Sequence, residues 1–229
     1  MNVVKALAPN FPNRHCLAAS SDAPEASGTG TFPCDDAGDG VMRGYCSQWA
    51  LQRNEKVRNL LLDKISRHWG TAHKTGFARL RKCAEEFADA RGWMETDLTG
   101  FAQAMLSIQT QEDAKNQLLN DLERFELGEF PAFTPEHSSA LEQQLMQTYQ
   151  QLMQAMEQQK DGASAFGTVR KADVQDTQEK WLQYRDALAA LGQARYPSVA
   201  AHSWRAMLTE RRIRQLEALL GGARTPGIV

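Results

Sequence analysis

The sequence lacks the features that are typical of nucleic-acid-binding, membrane-spanning and β-rich proteins. Its formal net charge is only −2 over 229 residues, which gives no electrostatic reason to expect nucleic acid or an anionic membrane as a partner. No run of 18 apolar residues occurs, so we expect no transmembrane helix. Strand-like alternation of useful length is also absent. Together with a composition rich in helix-forming residues, these absences favour an all-α fold.

Residue patterns for catalysis or metal binding are missing as well. None of the five histidines stands in a nucleophile motif, and the four cysteines form no CxxC or His-rich spacing. Neighbouring carboxylates such as Glu85 and Glu86 are more typical of a solvated helix face than of a general acid–base pair. We therefore expect no enzyme activity, no cofactor and no bound metal.

Helix-forming residues dominate, and apolar residues recur at helical spacing. Residues 1–40, rich in Ala, Ser, Gly and Pro, predict a mobile arm. The rest predicts an all-α fold in which two tandem three-helix units pack as a bundle, the first over 41–130 and the second over 135–222. The expected helices are 41–69, 71–91, a third that Asp97 or Thr99 caps and that runs to 126, then 136–158, 168–194 and 201–220.

The segment Trp181–Asp186 carries the clearest pattern. Trp181 and Tyr184 share one helix face, so we expect them to anchor the bundle core, while Arg185 and Asp186 flank that face and can bond a neighbouring helix. The basic run that contains Arg211 and Arg212 favours pairing with Asp186 over a nucleic-acid role, because it lacks aromatic interleaving.

Two cysteines flank the start of the first predicted helix. Cys34 and Cys46 are 12 residues apart in the sequence. Their spacing suits a small disulfide-closed loop in an oxidising compartment, but two unrelated thiols fit equally well. The residues alone leave these alternatives open.

Three segments in order, around Tyr149, over Thr177–Asp186 and over Trp204–Leu216, resemble the LprI-type lysozyme-inhibitor N-terminal domain, a helical module of secreted or periplasmic bacterial proteins. The first half, through Arg43–Trp49 and the stretch from Glu95, is similar to the first unit of two-unit members. The resemblance also implies a Cys34–Cys46 disulfide and a set of mainly structural motif residues: Tyr149, Gln178, Trp181, Tyr184, Arg185, Asp186, Thr209 and Arg212.

By this resemblance the chain is a non-catalytic inhibitor or immunity protein, periplasmic or secreted. Its partner is then a peptidoglycan-degrading enzyme, either a lysozyme or a bacterial toxin, with no nucleic acid and no membrane insertion. The alternatives are a helical adaptor without an enzyme target and a cytoplasmic location, since no signal peptide is visible. We expect partner contacts in the loops at 92–100, 128–136, 159–168 and 195–203, and specifically at Glu95, Asp97, Tyr196 and Trp204.

Overall fold

The computed structural model describes residues 40–99, 103–158 and 165–222, with the side chains at 40–48, 103–104 and 222 left out. Cys34, the side chain of Cys46 and residues 1–39 of the predicted arm lie outside the described residues. All the regular structure in these ranges is helical, which confirms the all-α fold: α1 (Gly40–Ser66), α2 (Thr71–Met94), α3 (Gln103–Glu126), α4 (Pro135–Glu157), α5 (Lys171–Arg195) and α6 (Ala201–Gly222).

Local signals explain several helix ends. The Thr134 hydroxyl accepts from the backbone N–H of His137 at 3.2 Å, and Pro135 occupies the first turn, as is favoured at a helix start. Gly128, at a φ of 85°, follows α3 and ends it in the left-handed conformation. The expected cap of α3 at Asp97 or Thr99 stays a prediction, because residues 100–102 lie outside the described residues; the Asp97 carboxylate accepts from the backbone N–H groups of Thr99 and Thr168.

The described residues fall into two compact units, one reaching Lys64 and one starting at Ile65. In the larger unit, α2 packs chiefly against α5 and then against α3, while α6 packs against α4 and α5. This unit buries the side chains of Leu80, Leu152, Val174, Trp181, Leu188, Trp204 and Leu216. None of the described helices is long and apolar enough to cross a membrane.

Two pairs of loops mark the two ends of the larger unit. At the Asp97 end, residues 95–99 meet residues 165–170, since the backbone N–H of Leu98 donates to the Thr168 hydroxyl at 2.8 Å. At the Phe133 end, residues 127–134 meet residues 196–203. The division of the chain into repeated units over 41–130 and 135–222 stays a prediction, because this packing neither requires nor excludes an internal repeat.

Candidate functional site

The motif residues of α5 and α6 are tied together by one carboxylate on α4. The Arg185 guanidinium donates to both oxygens of Glu142, at 3.1 and 3.2 Å, and the Thr209 hydroxyl donates to the same carboxylate at 3.1 Å. Arg185 also lies over the Trp181 ring, 4.9 Å from its centroid. The expectation that Arg185 bonds a neighbouring helix is confirmed.

A buried ion pair lies beside this group. Arg212, whose side chain is 0% exposed, donates from both terminal nitrogens to Glu95, whose side chain is 2% exposed, at 2.7 and 2.5 Å. Its Nε donates to the Gln178 side chain at 2.9 Å. The two parallel hydrogen bonds to the Glu95 carboxylate and the third to the Gln178 amide oxygen offset the cost of burying the Arg212 charge. Glu95 at the end of α2 thereby holds the middle of α6.

A second pair joins α6 to α3. Arg211 donates to both oxygens of Asp121, one of them at 2.7 Å, and Asp121 is buried. The expected pairing of Arg211 or Arg212 with Asp186 is therefore wrong, because buried carboxylates on α3 and α2 take both arginines. Asp186 pairs instead with Arg205, at 3.5 Å, and with its neighbour Arg185.

Two motif tyrosines border these pairs. Tyr184 stacks on Phe87 with ring centroids 5.7 Å apart, and burial raises its pKa far above the ordinary value. Tyr149 is half-buried, and burial raises its pKa too, with Arg212 acting in the opposite direction. Both phenols stay neutral at physiological pH, so they serve as packing groups. The core positions expected for Trp181 and Tyr184 are confirmed by their burial.

The loops of the Phe133 end are fixed by hydrogen bonds between distant parts of the chain. The carbonyl of Phe133 accepts from the Ser203 hydroxyl at 3.2 Å and contacts His202 Nε2 at 2.8 Å. Glu126 receives two bonds of 3.0 Å from Arg195 and one of 2.6 Å from the Tyr196 hydroxyl.

Aromatic rings lie beneath this hydrogen-bonded layer. The Tyr196 ring lies 4.8 Å from Phe130 and 5.9 Å from the buried Trp204. Phe125 meets Trp204 edge to face, with centroids 4.8 Å apart. Ring packing and the ion pair between Arg195 and Glu126 thus hold the loops at this end in place.

The Asp97 end has a smaller polar junction. The Asp97 carboxylate accepts from the Thr99 backbone and hydroxyl, at 3.0 and 2.8 Å, and from the Thr168 backbone at 3.1 Å. Partial burial acts to raise the Asp97 pKa, but the hydrogen bonds from Thr99 and Thr168 outweigh it and lower the pKa below its ordinary value. Gly167, with a φ of 57°, lets the second loop approach this carboxylate.

One comparison with known proteins bears directly on this arrangement. Residues 132–216 match the family model described as lysozyme inhibitor LprI. The match begins just before α4 and ends within α6, so it contains Glu142, Arg185, Thr209 and Arg212. The resemblance seen in the sequence is confirmed over this LprI segment, whereas the tandem arrangement stays a prediction. No curated protein and no solved structure matches the chain.

Three arginines of the LprI segment form ion pairs with carboxylates that lie outside the segment. Glu95, Asp121 and Glu126 all precede residue 132, yet they hold Arg212, Arg211 and Arg195 of the LprI segment. Sequence reasoning missed these three pairings, because each joins residues at least 69 positions apart and no local pattern marks them. Helices α2 and α3 therefore complete the LprI segment in this chain.

The four expected partner contacts do not come together at one place. Glu95 and Trp204 are buried within the larger unit, so neither side chain can form part of an exposed contact surface. Tyr196 is half-buried at the Phe133 end, and Asp97 is exposed at the opposite end. Within the described ranges, no group of three or more His, Cys, Asp or Glu side chains is arranged to hold a metal ion.

Proposed function

We propose that the protein binds and inhibits a peptidoglycan-degrading enzyme, acting outside the cytoplasm and without catalysis of its own. The observation that carries this proposal is the match of α4, α5 and most of α6 to the LprI lysozyme-inhibitor family. That family assignment supports an inhibitor role at the family level. The kind of target, a lysozyme or a bacterial toxin with the same substrate, is part of the proposal.

We place the contact surface at the Phe133 end. Most of its loop residues belong to the LprI segment, and they are held by Ser203, His202 and Glu126 in one arrangement. A surface that is ordered before binding loses less conformational entropy on association. The half-exposed rings of Phe130 and Tyr196 offer the aromatic anchors that dominate binding energy in many interfaces.

The chemistry of this end suits steric blocking of an enzyme cleft. Leu127, which directly follows α3, is half exposed, and Glu136, in the first turn of α4, is exposed. Hydrogen bonding to its own backbone N–H, and then to Thr134, lowers the pKa of Glu136, so this carboxylate is charged at neutral pH. An apolar centre with a charged rim fits the usual anatomy of protein interfaces, and the acidic rim favours a basic target.

Inhibition assays on the purified chain test the proposal. The full chain is mixed with a panel of lysozymes and bacterial muramidase toxins, and clearing of a peptidoglycan suspension is followed. We expect stoichiometric inhibition of at least one enzyme. The double variant Leu127→Ser/Glu136→Gln should raise the inhibition constant at least about tenfold, because each change removes an exposed contact group.

A matched control separates the surface from the fold. Met146→Ser/Glu157→Gln changes the same kinds of exposed side chain on α4, away from the Phe133 end, and should leave inhibition unchanged. If no enzyme in the panel is bound or inhibited, the proposed function is wrong. If inhibition occurs but both double variants behave alike, the function stands and the assigned surface is wrong.

A further inference from the structure

Helix α1 presents two different faces along its described side chains. At 100° per residue, Leu51, Arg58 and Leu62 fall on one side of the helix, and all three are buried or half-buried. On the opposite side Trp49, Val57 and Leu60 remain 41%, 38% and 61% exposed. Apolar residues on both sides are unusual for a helix that buries only one stripe, so the exposed side requires its own explanation.

Cations share the exposed side with these apolar residues. Arg53, Lys56 and Lys64 are exposed and fall within the same arc of about 100° as Trp49, Val57 and Leu60. We call these six residues the α1 arc. Arg53 lies over the Trp49 ring at 5.7 Å from its centroid. Among the described side chains of α1, Glu55 lies about 100° from the nearest member of the arc, whereas Asp63 borders the arc about 20° beyond Lys56, so the six residues of the arc carry three cations and no anion.

We infer that the α1 arc docks onto an anionic lipid bilayer surface. Helices that lie in the membrane interface combine exposed Trp and Leu with Lys and Arg, whose long stems pack against apolar surface while their charges reach the headgroups. The arc runs for about 22 Å along the helix, a straight line that a flat surface can follow. Such adsorption needs no membrane-spanning helix.

Other occupants fit the α1 arc less well. A second copy would bring three cations against three cations, which is repulsive. A helix that docks in a protein groove places its apolar anchors at every third or fourth position, whereas 8 positions separate Trp49 from Val57 and Arg53 stands between them. The net charge of −2 for the whole chain conceals this local cationic face.

Vesicle co-sedimentation of the full chain tests the inference. We expect binding to vesicles of phosphatidylglycerol and phosphatidylcholine, weak binding to pure phosphatidylcholine, and loss of binding as salt is raised. Lys56→Gln/Lys64→Gln should weaken partitioning by about twentyfold or more, since each cation near an anionic surface contributes about fivefold. Leu60→Ser should weaken it independently of salt.

Matched variants decide between the α1 arc and unspecific adsorption. Lys74→Gln/Lys82→Gln removes two exposed lysines from α2, and Met146→Ser alters an exposed apolar residue of α4. Both should bind as the unmodified chain does. Equal losses in the arc and control variants, equal binding to both kinds of vesicle, or no binding to either would overturn the inference. Because enzyme inhibition is a separate readout, failure here leaves the proposed function standing.

Discussion

Arg212 and Glu95 form an ion pair that is almost completely buried. Their side chains are 0% and 2% exposed, and Arg91 approaches the same carboxylate at 3.9 Å. Removing two charges from water costs several kcal/mol per ion, which only good geometry can offset. Glu95 is therefore a residue on which two cations depend, although it stands outside the LprI segment.

Glu95→Gln should destabilise the protein by about 3–5 kcal/mol, because it leaves the Arg212 cation buried without a counter-ion. Glu95→Leu/Arg212→Met should recover part of that loss, since it removes both charges of the buried pair and leaves only the partly exposed Arg91 without this carboxylate. Urea unfolding gives the free energies. Arg124→Ala, which breaks an exposed pair with Glu129, is the control and should cost less than about 1 kcal/mol. A small cost for Glu95→Gln alone would refute the counter-ion role.

The close packing of α5 against α6 requires a glycine at position 192. Gly192 lies within α5 and is buried, and a methyl group added there would stand 2.6 Å from the Trp204 ring. Real side chains do not approach so closely, so the ring or the helix must move. Glycine weakens a helix by about 1 kcal/mol relative to alanine, and here that cost permits the close approach of the Trp204 ring.

Gly192→Ala should destabilise the protein by about 1–3 kcal/mol despite the better helix propensity of alanine, since overpacking outweighs it. Gly76→Ala on α2 is the matched control. Its added methyl would lie 3.4 Å from a Leu191 side-chain carbon, an ordinary contact, so stability should stay equal or rise by up to about 1 kcal/mol. Thermal unfolding should show a lower melting temperature for Gly192→Ala and an equal or higher one for Gly76→Ala, and a lower melting temperature for both variants would contradict this packing.

The helices themselves could be predicted closely from the sequence. Apolar spacing predicted six helices whose bounds mostly differ by a few residues from those observed. Periodicity reports which face of a helix is buried, and it placed Trp181 and Tyr184 correctly in the core.

Neighbour relations between helices could not be predicted. Periodicity does not reveal which helix a buried face meets, so the pairing of α2 with α5 had no signal. For the same reason the predicted pairing of Arg211 or Arg212 with Asp186 was wrong. Their observed partners, Asp121 and Glu95, lie 90 and 117 positions away in the chain. Trp204 was expected at a surface because it lies near a helix start, but its position on the inward face of α6 decided its burial.

The larger unit, as a whole, joins the LprI segment to α2 and α3 through buried charges. Because of these links we expect the helices to fold and unfold together. If α2 unfolded alone, Arg212 would stay buried without its counter-ion Glu95. The extensive packing of α2 on α5 adds to this dependence.

Hydrogen exchange in increasing denaturant should therefore show one cooperative unit over the larger part of the chain. Core amides of α2, near Leu80 and Phe87, should lose protection with the same free energy as those of α5 near Trp181 and Leu188. Mass spectrometry of peptides from the two helices measures this directly. If α2 opens at a clearly lower free energy while α5 stays protected, the two regions are separate folding units.

Glu126 supports the start of the loop at 196–203 from another helix. It stands on α3, outside the LprI segment, and holds both Arg195 and Tyr196 at the base of the Phe133 end. If the Phe133 end is the contact surface that we propose, substitutions of Glu126 on α3 change the orientation of the loop without changing the residues of the loop itself. Selection for new targets would then leave its record on α3 as well as on the loop itself.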